Sequence, residues 1–117
     1  MLINLGTNDW SVGAPAEADF AAAYNSLLDT IRGHYPSAFI LLAVGPMLGS
    51  TEAATTHGWL QAIADARDAA GDHRVSVVDF AAQDGSLGYG CDWHPSAATH
   101  QQMADHLVPV LQGLLGW

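Results

Sequence analysis

The sequence predicts an α/β fold in which a parallel sheet lies between helices in a three-layer α/β/α arrangement. Two observations carry this expectation. Three short apolar runs alternate with three stretches of helical periodicity in the order β-α-β-α-β-α, and a helical crossover is the connection that neighbouring parallel strands require. The middle run, Ala38 to Val44, is apolar throughout, the pattern of a strand covered on both faces. In such sheets functional residues gather beyond the carboxyl ends of the strands.

Each element follows from its own signals. Leu2 to Leu5 is an apolar run stopped by Gly6 and reads as a buried strand. From Glu17 to Arg32, Phe20, Tyr24, Leu27, Leu28 and Ile31 recur at helical spacing, with Gly33 and Pro36 as stop signals. Ala38 to Val44 ends at Gly45-Pro46. A second helix is expected over about Glu52 to Ala70, with Trp59, Leu60, Ile63 and Ala64 as its apolar stripe and Gly71 as its cap. Val75 to Val78 is the third strand. The last helix starts near Ser96, a good N-cap, and buries Met103, Leu107, Val110, Leu111 and Leu114, with Pro109 expected to bend it. No repeat, linker or low-complexity segment interrupts the series.

Composition narrows the function classes. The chain has 117 residues, half of them apolar, enough for one domain with a real core. Twelve carboxylates face three arginines and no lysine, for a formal net charge of −9. Such a surface repels nucleic acid backbones and anionic membranes and leaves neutral or weakly charged partners. No stretch reaches the roughly 18 to 20 apolar residues of a membrane span, and the N-terminal residues lack a signal-peptide pattern. Cys91 is the only cysteine, so an internal disulfide is excluded.

Two motifs sit where an α/β enzyme keeps its chemistry. Gly6-Thr7-Asn8-Asp9 follows the first strand, and Gly90-Cys91-Asp92-Trp93-His94-Pro95-Ser96 lies between the third strand and the last helix. Each alone also reads as ordinary turn chemistry, with Asn8 and Asp9 capping local backbone and His94 packing in a loop. Histidine exchanges a proton near neutral pH, and an acceptor on one ring nitrogen fixes the tautomer of the other. Asp92, His94 and His100 cluster in sequence, but no His-x-x-x-His pair or Cys/His framework appears, so neither a metal nor a cofactor is expected. His34, His57, His73 and His106 read as surface residues, and Asp79 as the cap of the turn after its strand.

Taken together, Asn4-Leu5-Gly6-Thr7-Asn8-Asp9, Val44-Gly45-Pro46-Met47 and Cys91-Asp92-Trp93-His94-Pro95-Ser96, with His100, Met103 and the closing Leu115-Gly116-Trp117, resemble the later blocks of the SGNH or GDSL hydrolase superfamily. They are most similar to carbohydrate esterase family two, acetyl esterases acting on plant polysaccharides. The resemblance implies a flavodoxin-like sheet, here a partial domain of about three β-α units, with residues 1–117 forming the C-terminal portion of a single SGNH-hydrolase domain.

It also implies roles. Asn8 would donate its side-chain amide to the oxyanion of the tetrahedral intermediate, with Gly6 of the same block beside it, and His94 would be the general base that deprotonates a serine. Asp92 would orient His94. Only Trp93 separates the two, whereas the common superfamily block has two intervening residues; the shorter spacing also occurs in family two, where some members resemble a dyad oriented by a backbone carbonyl. Trp10 and Trp93 would flank the pocket and stack on sugar rings, ordinary packing being their other reading. The expected substrate is an acetylated carbohydrate or other small ester, in a secreted bacterial setting.

One departure is large. The family's first block, a Gly-Asp-Ser turn carrying the nucleophile, is absent from this sequence, and Ser11, Ser26, Ser37, Ser50, Ser76, Ser86 and Ser96 occupy no strand-to-helix nucleophile turn. The first strand would then expose an edge, implying a homodimer or an N-terminal fragment bound through Met1 to Leu5. The competing reading is a non-catalytic carbohydrate-binding or self-associating half-domain.

Overall fold

The computed structural model describes residues 1–117. Three parallel strands, β1 (Leu2–Ile3), β2 (Ile40–Val44) and β3 (Val75–Asp79), lie in the order β1-β2-β3. They alternate with three helices, α1 (Glu17–His34), α2 (Ser50–Ala69) and α3 (Ala97–Leu115). Leu2 and Ile3 are level with Leu41 and Leu42, and Ile40 to Val44 with Val75 to Asp79.

Each layer follows from the alternation of β2. Ile40, Leu42 and Val44 point to one face and pack with Phe20, Tyr24 and Leu28 of α1 and Leu60 and Ile63 of α2. Leu41 and Ala43 point to the other and join Val78 and Phe80, covered by Met103, Leu107, Val110 and Leu111 of α3. Successive crossovers of one hand, stepping across the sheet in one direction, put α1 and α2 on a common face. Every residue of β2 is buried, as its uninterrupted apolarity requires.

The boundaries differ from the sequence expectation in instructive ways. The run Leu2 to Leu5 pairs only over Leu2–Ile3, because the chain turns away at Gly6 to build the Thr7–Trp10 turn. Helix α1 runs through Gly33 to His34, with Tyr35 as its C-cap. The residue before Pro36 is sterically driven out of helical geometry, so proline, not glycine, is the effective stop. Helix α2 begins at Ser50, two residues before Glu52. It closes with a Schellman arrangement in which the Gly71 and Asp72 amides donate to the Asp68 and Arg67 carbonyls. Ser96 caps α3 as expected, its Oγ accepting from the Thr99 amide at 3.2 Å, and α3 continues through Pro109 to Leu115. No helix is long and apolar enough to cross a membrane.

All three arginines are spent on the scaffold. Arg32 donates to both Asp72 oxygens (2.7 and 2.8 Å) and to the Ala38 carbonyl. Arg74 donates to the Ser37 carbonyl, and Arg67 ties α2 to Asp29 and Asn25 of α1. The partners Ala38, Ser37 and Asp72 all precede strands, so these contacts stitch the amino end of the sheet and leave the opposite end without a guanidinium.

The Arg32 hydrogen bond holds the Asp72 carboxyl below the ordinary carboxylate range. An unfolded aspartate titrates near ~3.9. As pH falls the unfolded chain therefore takes up this proton first, so the stabilisation is complete above that value and is lost as pH falls through the lower folded pKa. We expect Asp72→Asn to flatten the acid limb of the stability profile, read as urea midpoints between about pH 2.5 and 6. Equal acid limbs in both proteins would contradict this linkage.

Candidate active site

The register of the sheet brings the two motifs together. Residues following β1, β2 and β3 all emerge at the carboxyl edge. There a cleft of about 280 Å³ is lined by Asn4, Thr7 and Asn8 from the first turn, Pro46 and Met47 from the second, and His94, His100 and Met103 around the start of α3. Asn8 and His94, 86 positions apart in number (94 − 8), thus share one cavity.

The Asn8 turn is pinned from below. The Tyr24 hydroxyl donates to the Leu5 carbonyl at 3.0 Å, and burial of Tyr24 pushes its phenol up to about 12, so it remains a neutral donor at physiological pH. At the other end of the turn, Trp10 Nε1 donates to Thr56 Oγ1 at 3.0 Å. Gly6, at φ +111°, starts the turn, and a Cβ there would sit 3.2 Å from the Phe20 ring. A side chain there is strained by the backbone conformation, and the Phe20 ring would have to give way by a few tenths of an ångström. Asn8 is exposed above this anchored base.

Close packing also joins β1 to β2 at the cleft. A Cβ on Gly45 would lie 2.7 Å from Asn4 Oδ1 and 3.3 Å from Thr7 Oγ1. The glycine after β2 therefore admits the Asn4 and Thr7 side chains to the cleft wall.

His94 is held differently from the simplest expectation. Its Nδ1 lies 3.2 Å from both the Cys91 and the Asp92 carbonyl oxygens, so the ring is oriented by main-chain acceptors and no hydrogen bond runs to the Asp92 carboxylate. An Nδ1–H donating to these carbonyls leaves Nε2 with its lone pair free, the tautomer a base requires. The turn that presents the carbonyls is strained, with Asp92 at φ +50° and Trp93 at φ +62°. Two successive non-glycine residues in the left-handed region are unusual. The turn is closed by the His94 amide donating to Cys91 O at 3.0 Å and the Gly90 amide to His94 O at 2.7 Å.

The other candidates divide. Trp93 is 72% exposed and meets Tyr89 edge-on, with ring centroids 5.3 Å apart. Trp10 instead is half-buried, stacked on Trp59 at 5.6 Å, with its N–H bonded to Thr56. Gly6 faces Phe20 and a separate groove with Leu5, Asp9 and Tyr24, not the cleft that holds Asn8. Asp79 pairs with His57 at 2.8 Å. No serine lines the cleft, and Ser96 is occupied by Leu87 O and the Thr99 amide. Asn4, Thr7 and Met47 were given no role from the sequence, although each lies within one of the blocks that carry the resemblance.

A parallel α/β sheet with polar groups converging beyond its carboxyl edge is the build of an α/β domain that keeps its site at the strand ends. The chain belongs to the GDSL-like lipase/acylhydrolase family, whose model matches residues 1–102. It is 43% identical over 117 residues to the cellulase/esterase CelE of Acetivibrio thermocellus, covering all of this chain and 14% of that protein. It is 29% identical over 113 residues to the acetylxylan esterase/glucomannan deacetylase of Cellvibrio japonicus, covering 97% of this chain and 30% of that one. Among solved structures it is similar to a family two carbohydrate esterase from Clostridium thermocellum in complex with cellohexaose, with a TM-score of 0.93 and 43% identity over 99% of this chain and 36% of that one. It is likewise similar to a family two carbohydrate esterase from Cellvibrio japonicus, with a TM-score of 0.84 and 27% identity over 99% of this chain and 33% of that one. The chain therefore spans about a third or less of each of these relatives.

Because the Asp92 carbonyl and backbone, not its carboxylate, meet His94, substitutions should sort by backbone tolerance. Asparagine tolerates the left-handed region, so Asp92→Asn should leave stability nearly unchanged. The β-branched Asp92→Val should cost about 1–2 kcal/mol in urea denaturation. Equal losses from both would contradict a backbone role.

Proposed function

We propose that this chain forms the acid/base and oxyanion-binding part of a serine ester hydrolase acting on acetylated carbohydrates. The observation that carries the reading is the His94 ring, bonded through Nδ1 to two main-chain carbonyls and lining the same cleft as Asn8. In the acylation step His94 Nε2 takes the proton of a serine hydroxyl as its oxygen attacks the ester carbonyl. Asn8 Nδ2 donates to the oxyanion that forms, and His94 returns the proton to the departing sugar alcohol. Water then repeats the sequence on the acyl-enzyme. Trp93, exposed beside the cleft, offers an aromatic face to a pyranose.

The serine is supplied from outside residues 1–117, which act as the C-terminal portion of the domain. The unpaired edge of β1, with Met1, Leu2 and Leu5 each at least 40% exposed, receives either an N-terminal serine-bearing segment or a second copy of this chain. The relatives' carbohydrate-esterase activities support the substrate class. Exposed Trp93 also favours a second reading, a carbohydrate-binding half-domain without catalysis.

The test is hydrolysis of nitrophenyl acetate by the purified chain, alone and mixed with the N-terminal segment of a family-two carbohydrate esterase. We expect no turnover alone, turnover in the mixture, and a loss of about 10²- to 10⁴-fold on His94→Ala. Asp92→Asn should stay within several-fold of the unchanged chain, whereas carboxylate-oriented triads lose about 10⁴-fold on the same change. His94-dependent turnover by the chain alone would overturn the external serine. Cello-oligosaccharide binding with a silent mixture would favour the non-catalytic reading.

A further inference from the structure

We propose that Gln83 is a positioning residue for His94, acting by clamping the strained turn that carries it; this rests on the reading of His94 as the base. Gln83 follows β3 in sequence and lines a separate groove with Ser86, Leu87 and Thr99. Its main-chain amide donates to the Pro46 carbonyl at 2.9 Å, which fixes it to the turn after β2. Its side-chain Nε2 donates to the Trp93 carbonyl at 2.7 Å. One residue thereby couples the Pro46-Met47 wall of the cleft to the peptide immediately before His94.

The position of that bond matters. Asp92 and Trp93 both hold positive φ, a conformation that reverts unless surrounding contacts over-determine it. The carbonyls of Cys91 and Asp92 can accept from His94 Nδ1 only while the turn keeps this shape. The contacts within the turn are local: His94 N to Cys91 O, Gly90 N to His94 O, and the bridge between Tyr89 and Pro95. Gln83 supplies the side-chain hydrogen bond that reaches the turn from the sheet side.

A second observation points the same way. Gln83 Oε1 is buried with no hydrogen-bond partner, an arrangement native proteins seldom retain. With Oε1 unpartnered in the protein, the side-chain amide is anchored through Nε2 and the Trp93 carbonyl alone.

The test reads the His94 tautomer by ¹⁵N NMR of the imidazole in the chain of residues 1–117, at a pH where the ring is neutral. In the unchanged chain the proton should reside on Nδ1. Gln83→Met keeps the volume and removes the donor, and should shift His94 to a mixture dominated by the Nε2–H form that unconstrained histidine prefers, with far-UV circular dichroism unchanged. A folded Gln83→Met chain that keeps the Nδ1–H form would overturn the clamp while leaving the reading of His94 intact. Nε2–H in the unchanged chain would overturn both. Should Gln83→Met fail to fold, hydrogen exchange of the side-chain amides in the unchanged chain decides: Gln83 should exchange at least tenfold more slowly than the exposed Gln112, and equal rates would overturn the proposal.

Discussion

Strand β2 is the constraint on which the remaining structure depends. Its five residues are buried on both faces, and it is the only strand paired on both edges. Burial of an apolar run this continuous forces a layer of helices on each side. Parallel pairing then fixes where every following segment emerges. Because β1 and β3 both run parallel to β2, the turn after β1 and the long connection after β3 leave from the same edge. That edge holds Asn8 and His94 in a single cleft.

The two ends of the sheet are treated differently. At the amino end Arg32 and Arg74 bind a carboxylate and carbonyls that lead into the strands. In the cleft at the carboxyl end the lining polar side chains are amides, a hydroxyl and imidazoles, with no carboxylate among them. In a chain of net charge −9, this arrangement suits a neutral substrate such as an ester better than an anion. Under the proposed reading the oxyanion would be met by fixed dipoles, Asn8 above all, whose turn is anchored at Leu5 by Tyr24 and at Trp10 by Thr56.

Much of this was legible in the residues because the signals are local. Apolar continuity marks β2, helical spacing marks α1, Ser96 announces the start of α3, and Gly71 closes α2. That Asn8 and His94 would line one cleft was legible only through the family resemblance, since nothing in their spacing brings them together. What escaped depends on partners distant in sequence or on backbone geometry. Trp10 looks like a rim aromatic until α2 delivers Trp59 and Thr56 to it. The residues left open whether the Asp92 carboxylate or a main-chain carbonyl orients His94, and it is left-handed backbone at Asp92 and Trp93 that turns main-chain carbonyls toward the ring.

The central claim is that Asn8 and His94 serve one ester-binding cleft. The most direct measurement is a titration of the ¹⁵N-labelled chain with an acetylated cello-oligosaccharide, following the Asn8 side-chain amide, the His94 ring and the Trp93 indole. The account predicts that all three resonances shift along one binding curve. Shifts of Trp93 without Asn8 and His94, or of the two residues with different midpoints, would contradict it.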